Sequence, residues 1–165
     1  MTFPLFVVTG LSGSGKSTAA KEIVSRMRDF DVYDMDKIVV RQDYQTACNN
    51  WLRIAHSNAL GGRGTILFGC VPHPYNVEIC DHSHYFSPFH YFALYCSDNA
   101  RIQRLTARGG WTLAGIEHTN AASKELVYRA RQAIPPIPAL DTSSMPVAQV
   151  ADQIEKWVMS KWPPA

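Results

Sequence analysis

The stretch Leu5-Phe6-Val7-Val8-Thr9-Gly10-Leu11-Ser12-Gly13-Ser14-Gly15-Lys16-Ser17-Thr18 decides the fold of this chain. Its first five residues are an apolar run rich in Val and Phe, bounded by Pro4 and Gly10, as in a strand buried on both faces. Gly10 to Ser17 then match G-x-x-x-x-G-K-[ST] in full. In that pattern the glycines let backbone N–H groups turn inward around phosphates, the lysine neutralises the β/γ oxygens, and the following helix adds the dipole of its amino terminus. A helix is expected here, because Ala20, Ile23, Val24 and Met27 recur at helical spacing while Lys21, Glu22, Arg26 and Arg28 fall on other faces. A strand, a glycine loop and a helix in this order imply that ATP is bound by Gly10, Ser12, Gly13, Ser14, Gly15, Lys16, Ser17 and Thr18, with the Ser17 hydroxyl on Mg2+.

Outward from this loop, further strands are expected at Phe30 to Tyr33, Thr65 to Cys70, Tyr91 to Cys96 and Ala139 to Asp141, separated by helix-length segments. The last helix shows a stripe of Val147, Val150, Ala151, Ile154, Trp157 and Val158 after Pro146. Alternating strands and helices predict an α/β fold, a mainly parallel five-stranded sheet covered on both faces, with ligands at the carboxyl ends of the strands. The 165 residues are read as a single domain, with a fraying tail from Trp162 to Ala165.

Composition narrows the function. A formal charge of +2 is too small for a nucleic-acid surface, so no nucleic-acid partner is expected. The apolar amino terminus is too short to span a bilayer and lacks a charged leading region, which implies no membrane association. Cys48, Cys70, Cys80 and Cys96 have no C-x-x-C spacing, and reduced thiols in the cytoplasm are expected. No N-K-x-D segment is present to read guanine, which excludes a GTPase.

Gly10 to Thr18 followed by Asp34-Met35-Asp36 resembles the P-loop small-molecule and nucleotide kinases, which include nucleoside, shikimate and gluconate kinases. The resemblance implies the P-loop nucleoside triphosphate hydrolase fold in its adenylate-kinase-like form. It also implies that Asp34 helps order Mg2+ and that Asp36 contacts or deprotonates the acceptor hydroxyl. The third strand ends without the carboxylate that a Walker B segment supplies, and this places more weight on Asp34. Arg101, Arg104 and Arg108 follow the fourth strand at three- and four-residue spacing. In the kinases resembled, an arginine-bearing lid closes over the phosphates here. Arg104 and Arg108 are therefore expected to bind nucleotide and to stabilise the transferring group, within a mobile lid over 105–132 hinged at Gly109-Gly110. Backbone groups of Leu140 to Ser143 are expected at the adenine edge.

The acceptor pocket is less legible. Arg41, Arg53 and His56 lie between the second and third strands, where the kinases resembled hold the acceptor, and His73 follows the third strand. Cys80, His82, His84 and His90 lack the paired spacing of a zinc site. The expected activity is transfer of the γ-phosphoryl group from Mg-ATP to a small metabolite, a nucleoside or nucleotide. A gluconate- or shikimate-type sugar or hydroxy-acid kinase is the nearest alternative, and an ATP-binding switch without productive transfer is an alternative of another class.

Overall fold

The computed structural model describes residues 1–69 and 77–162. Five strands, β1 (Phe3–Thr9), β2 (Phe30–Asp34), β3 (Gly64–Phe68), β4 (Phe86–Tyr95) and β5 (Ala139–Asp141), form one sheet in the order β2-β3-β1-β4-β5. Every pairing is parallel. The helices are α1 (Lys16–Arg26), α2 (Tyr44–Leu60), α3 (Asp98–Arg108), α4 (Leu113–Gln132) and α5 (Val147–Lys161). This is the expected α/β P-loop architecture.

Alternation along the strands divides the core in two. Phe6 and Val8 of β1, Ile66 and Phe68 of β3 and Leu94 of β4 pack under α1 and α5 through Ala19, Ile23, Val150, Ile154 and Trp157. Leu5, Val7 and Leu67 face the other way, onto Cys48, Trp51, Leu52 and Ala55 of α2. The carboxyl ends of the strands are thereby fixed from both faces.

Three expectations change. Strand β4 starts at Phe86, five residues before the predicted Tyr91. Its register against β1 slips between Phe3↔Phe86 and Leu5↔Phe89, and this irregularity accommodates Pro4 and Pro88, each of which lacks a ladder N–H. In α1 the buried positions are Ala19, Ala20 and Ile23, while Val24 is exposed beside the sheet edge. Trp162 does not fray: its ring packs at 4.7 Å from Phe30 and 6.2 Å from Phe6. Residues 163–165 of the expected frayed tail lie outside the described residues.

The segment 105–132, expected as a mobile lid, holds the end of α3, a Gly109-Gly110 joint and all of α4. Helix α4 buries Ile116, Thr119, Asn120, Ser123 and Ala130, so most of the segment is packed helix. Both glycines have φ of 77° and nothing within 4 Å of a hypothetical Cβ, the conformation glycine adopts at least steric cost. The part free to hinge narrows to 109–112. No helix among the described residues is long and apolar enough to cross a membrane.

Candidate active site

The loop between β1 and α1 is built for an anion. Helix α1 opens at Gly15 with φ of 94°, with no side-chain cap and no acidic residue in its first turn. Its first N–H groups therefore point at the space where a phosphate would sit. Gly10 is held close, since a Cβ there would lie 2.6 Å from the Leu94 carbonyl oxygen and 2.6 Å from Ser14 Oγ. Lys16 arches over this space and donates from Nζ to the Gly10 carbonyl and, at 3.3 Å, to that of Leu11. These features fit a nucleotide's phosphates.

At the end of β2, Ser17 Oγ donates to Asp34 Oδ2 at 3.3 Å, bringing a hydroxyl and a carboxylate together beside the loop. Two hard oxygens in this place fit Mg2+, which takes oxygen ligands and keeps several waters. Asp34 also accepts from the Asp36 backbone N–H at 3.1 Å through Oδ1, capping the single 3-10 turn Met35–Ile38. The cap of this turn is therefore Asp34 and leaves the Asp36 side chain outside it. The Asp36 side chain stands at the rim, open to solvent on one side and enclosed on the other. Partial burial pushes its carboxyl up, Lys16 draws it down, and Asp34 adds a smaller upward push. Asp34, Asp36 and Lys16 therefore share one electrostatic neighbourhood.

Met35 fixes that arrangement. Its carbonyl accepts from Trp51 Nε1 of α2 at 2.9 Å, and Gly69 lies against its side chain, so that a Cβ on Gly69 would come within 2.7 Å of Met35 Cβ. Gly69 stands just beyond β3, where a Walker B carboxylate was sought, and the close approach leaves no room for one. The ring of Trp51 stacks on Tyr33 at 4.7 Å, tying α2 to β2. Neither contact was legible in the sequence, because 16 and 34 residues separate the partners of Met35 from it.

The arginines do not line up as expected. Arg101 is fully buried and donates to the Ser12 carbonyl and, at 2.7 Å, to Ser123 Oγ of α4. Burial pulls its guanidinium below the usual arginine range. Arg104 donates to the Gly13 carbonyl at 2.9 Å, to Thr142 Oγ1 at 3.1 Å and to the Thr142 carbonyl at 2.6 Å. Its guanidinium is engaged by these backbone carbonyls while the residue lines a cavity beside the loop. Arg104 and Arg108, the latter at the exposed end of α3, together line this cavity, of about 230 Å³, with Gly15, Thr18, Thr142 and Met145. This cavity is on the α1/α5 side of the loop. Thr142 was expected only for its backbone, yet its buried hydroxyl donates to the Ser14 carbonyl at 2.7 Å.

The other candidates separate. His56 stacks on Tyr85 at 3.7 Å and neighbours Phe3, at the opposite end of β1 from the loop. Arg53 pairs with Asp81 at 3.9 Å on the surface. Arg41 has φ of 51° in the turn before α2. His73 lies outside the described residues, as does Cys70. No three His, Cys, Asp or Glu side chains gather as a metal site among the described residues.

Comparison with known proteins fits this geometry. A family described as an AAA domain matches residues 7–118, which include the phosphate loop, Asp34, Asp36 and all of α3. The chain belongs to that family. Solved structures share the fold across nearly all of their lengths. A sugar kinase from Janibacter sp. HTCC2649 is 16% identical with a TM-score of 0.65, covering 96% of this chain and 95% of that one. The tunicamycin resistance protein of Deinococcus radiodurans is 17% identical with a TM-score of 0.68, covering 96% of each chain. A gluconokinase from Sinorhizobium meliloti 1021 is 17% identical with a TM-score of 0.56, covering 98% of this chain and 99% of that one. No curated protein matches the sequence. The AAA-domain chain described here thus has the nucleotide-binding fold of the P-loop kinases.

Proposed function

We propose that the protein is an ATP-dependent kinase that passes the γ-phosphoryl group to a small metabolite, a nucleoside or nucleotide. The observation that carries this reading is the convergence of Lys16, Ser17, Asp34 and Asp36 at one edge of the loop, with Asp36 free at the rim. Phosphoryl transfer needs positioned charge more than covalent chemistry. In this scheme the loop amides and Lys16 hold the phosphates, and Ser17 and Asp34 hold Mg2+, which supplies charge neutralisation when bound. Asp36 orients the acceptor hydroxyl and takes its proton at the carboxylate. Arg101 and Arg104 keep the loop carbonyls turned back so that the amides face the nucleotide. Arg104 and Arg108, which line the cavity beside the loop, are the proposed nucleotide contacts from α3.

A sugar or hydroxy acid as acceptor is the second reading, favoured by the sugar kinase and gluconokinase among the structures of similar fold. A screen of nucleosides, nucleotides, sugars and hydroxy acids for acceptor-stimulated ADP release tests both. Stimulation by a nucleoside or nucleotide supports the first reading and stimulation by a sugar the second. ATP binding without stimulation by any acceptor would leave a nucleotide-dependent switch.

A further inference from the structure

Away from the phosphate loop, two cysteines distant in sequence meet. Cys48 of α2 and Cys80, which follows the 3-10 turn Val77–Ile79, belong to one buried cluster on the α2 face of the sheet. Cys48 donates its thiol proton to Cys80 Sγ, which also accepts from Gln45 Nε2 at 3.3 Å. Neighbouring contacts hold the same two elements together. Asn49 Oδ1 accepts from the Asp81 backbone N–H at 3.3 Å, and Arg53 pairs with Asp81 at 3.9 Å. Residues 45–53 of α2 thus keep 80–81 in place.

The two thiols are chemically unequal. Donating to Cys80 holds Cys48 protonated, far above the usual thiol range, and burial adds to this. The same bond draws the Cys80 thiol down, with a further pull from Gln45, against burial and the charge of Asp81. A thiolate is the form that attacks an oxidant, and a hydrogen-bonded thiol beside it is placed to close on the product. Both cysteines are buried, which disfavours a bulky oxidant. Cys80 stands between the exposed Ile79 and the exposed Asp81, one residue from solvent on either side, so a molecule as small as hydrogen peroxide has a short path to it. The pair is also tied to the candidate site. Cys48 lies three residues before Trp51 on one face of α2, and Trp51 Nε1 donates to the Met35 carbonyl in the turn that carries Asp36. Hydrogen-bonded sulfurs must close by roughly 1–2 Å to reach the disulfide distance of about 2.05 Å, and a close-packed core passes on a displacement of that size.

We propose that Cys48 and Cys80 are an oxidative-modification site for small hydroperoxides, closing a reversible disulfide whose formation displaces the Asp36 turn through α2 and Trp51. The Cys80 thiolate attacks hydrogen peroxide, the O–O bond breaks, and Cys80 becomes a sulfenic acid while hydroxide leaves and takes up the proton that Cys80 released. The Cys48 sulfur then attacks the Cys80 sulfur, the S–O bond breaks, and the Cys48 proton departs with that oxygen as a second water. Two thiols lose two electrons, and one peroxide is reduced to two waters. A thiol reductant reopens the bridge. Neither the bridge nor the displacement depends on phosphoryl transfer.

The test treats reduced, 15N-labelled protein with excess hydrogen peroxide, blocks the remaining thiols and maps the peptides by mass spectrometry. The expected result is a peptide pair joined through Cys48 and Cys80, two hydrogens lighter than the separate peptides and parted by dithiothreitol. In Cys48→Ser a hydroxyl still donates to Cys80, so the Cys80 sulfenic acid should persist and be trapped by dimedone. Cys80→Ser should leave Cys48 unoxidised under the same treatment. In the bridged protein the Trp51 indole N–H signal and the amides of 35–38 should shift, return with dithiothreitol, and stay unmoved in Cys80→Ser. Dithiothreitol does not reverse methionine oxidation, so recovery separates the bridge from an effect at Met35. Mapping and recovery are both read on the unaltered protein, so a variant that fails to fold leaves them in force. Three outcomes overturn the site: no bridge between 48 and 80 after prolonged treatment, a bridge from either cysteine to Cys70 or Cys96 in its place, or Cys48 oxidised equally in Cys80→Ser. Bridged protein whose Trp51 and 35–38 signals do not move overturns the displacement.

Discussion

At the scale of single residues, the proposed function gives the two carboxylates beside the loop separable duties. Lys16→Ala should abolish ATP turnover and leave the fold intact, since Lys16 extends from the loop over the cleft and lies outside the hydrophobic core. Turnover assays paired with circular dichroism check this, and normal turnover in the folded variant would remove the loop from the mechanism. Asp36→Asn should lower acceptor-stimulated turnover by about two to four orders of magnitude, with ATP affinity little changed, if Asp36 is the general base proposed above and not a phosphate ligand. Its pH dependence follows from the same group. A carboxyl pushed up by burial fills its base form only at a higher pH than a free Asp, so the acid limb of acceptor-dependent kcat/KM should lie above the ordinary carboxylate range. Asp34→Asn removes the neighbouring like charge, so at saturating Mg2+ its residual activity should show that limb moved to lower pH. An unshifted limb would uncouple the two residues. The meeting of Ser17 with Asp34 beside the loop agrees with what the phosphate-loop pattern and the kinase resemblance led one to expect. The burial of Arg101 was not readable in sequence, since its spacing is shared with solvated arginines and only the packing of α4 tells them apart.

Among the elements, β1, α1, α5 and a parallel five-stranded sheet were predictable from periodicity and the glycine loop, whereas the joints between elements were not. Two such joints give measurable consequences. Gly69→Ala would drive a Cβ to within 2.7 Å of Met35 Cβ and displace the turn that carries Asp36. Overpacking of this kind costs about 1–3 kcal/mol. Chemical denaturation should show that loss, and kinetics should show a larger fall in acceptor-dependent rate than in ATP binding. Thr142→Val removes the buried hydroxyl that donates to Ser14 and accepts from Arg104, two contacts that hold the loop to the end of β5. A loss of about 1–3 kcal/mol is expected, together with weaker ATP binding by calorimetry. Unchanged ATP affinity would reduce Thr142 to a structural tie. The segment expected as a lid belongs to this scale: sequence suggested a joint at Gly109-Gly110 but did not show that the helix after it buries a face.

For the whole molecule, ligand and fold are linked by mass action. ATP and Mg2+ at about 100 times the dissociation constant should stabilise the native state by about 2.7 kcal/mol, if the unfolded chain does not bind them. For a chain of 165 residues this corresponds to a rise of roughly 5–10 °C in Tm, which Lys16→Ala should largely abolish. A thermal melt with and without nucleotide measures both. The strand order carries a further consequence for how the protein is made. Strand β1 leaves the ribosome before any other strand, yet its partners are β3 and β4, and β4 ends only at Tyr95. At about 5–20 residues per second, the interval between the emergence of β1 and of its second neighbour is roughly 4–18 s. Throughout that interval Leu5, Phe6, Val7 and Val8, which become the centre of the sheet, have no complete slot to occupy. The nascent chain therefore exposes its most apolar segment for seconds, making Leu5 to Val8 the place where a chaperone would bind and where misassembly during synthesis would begin.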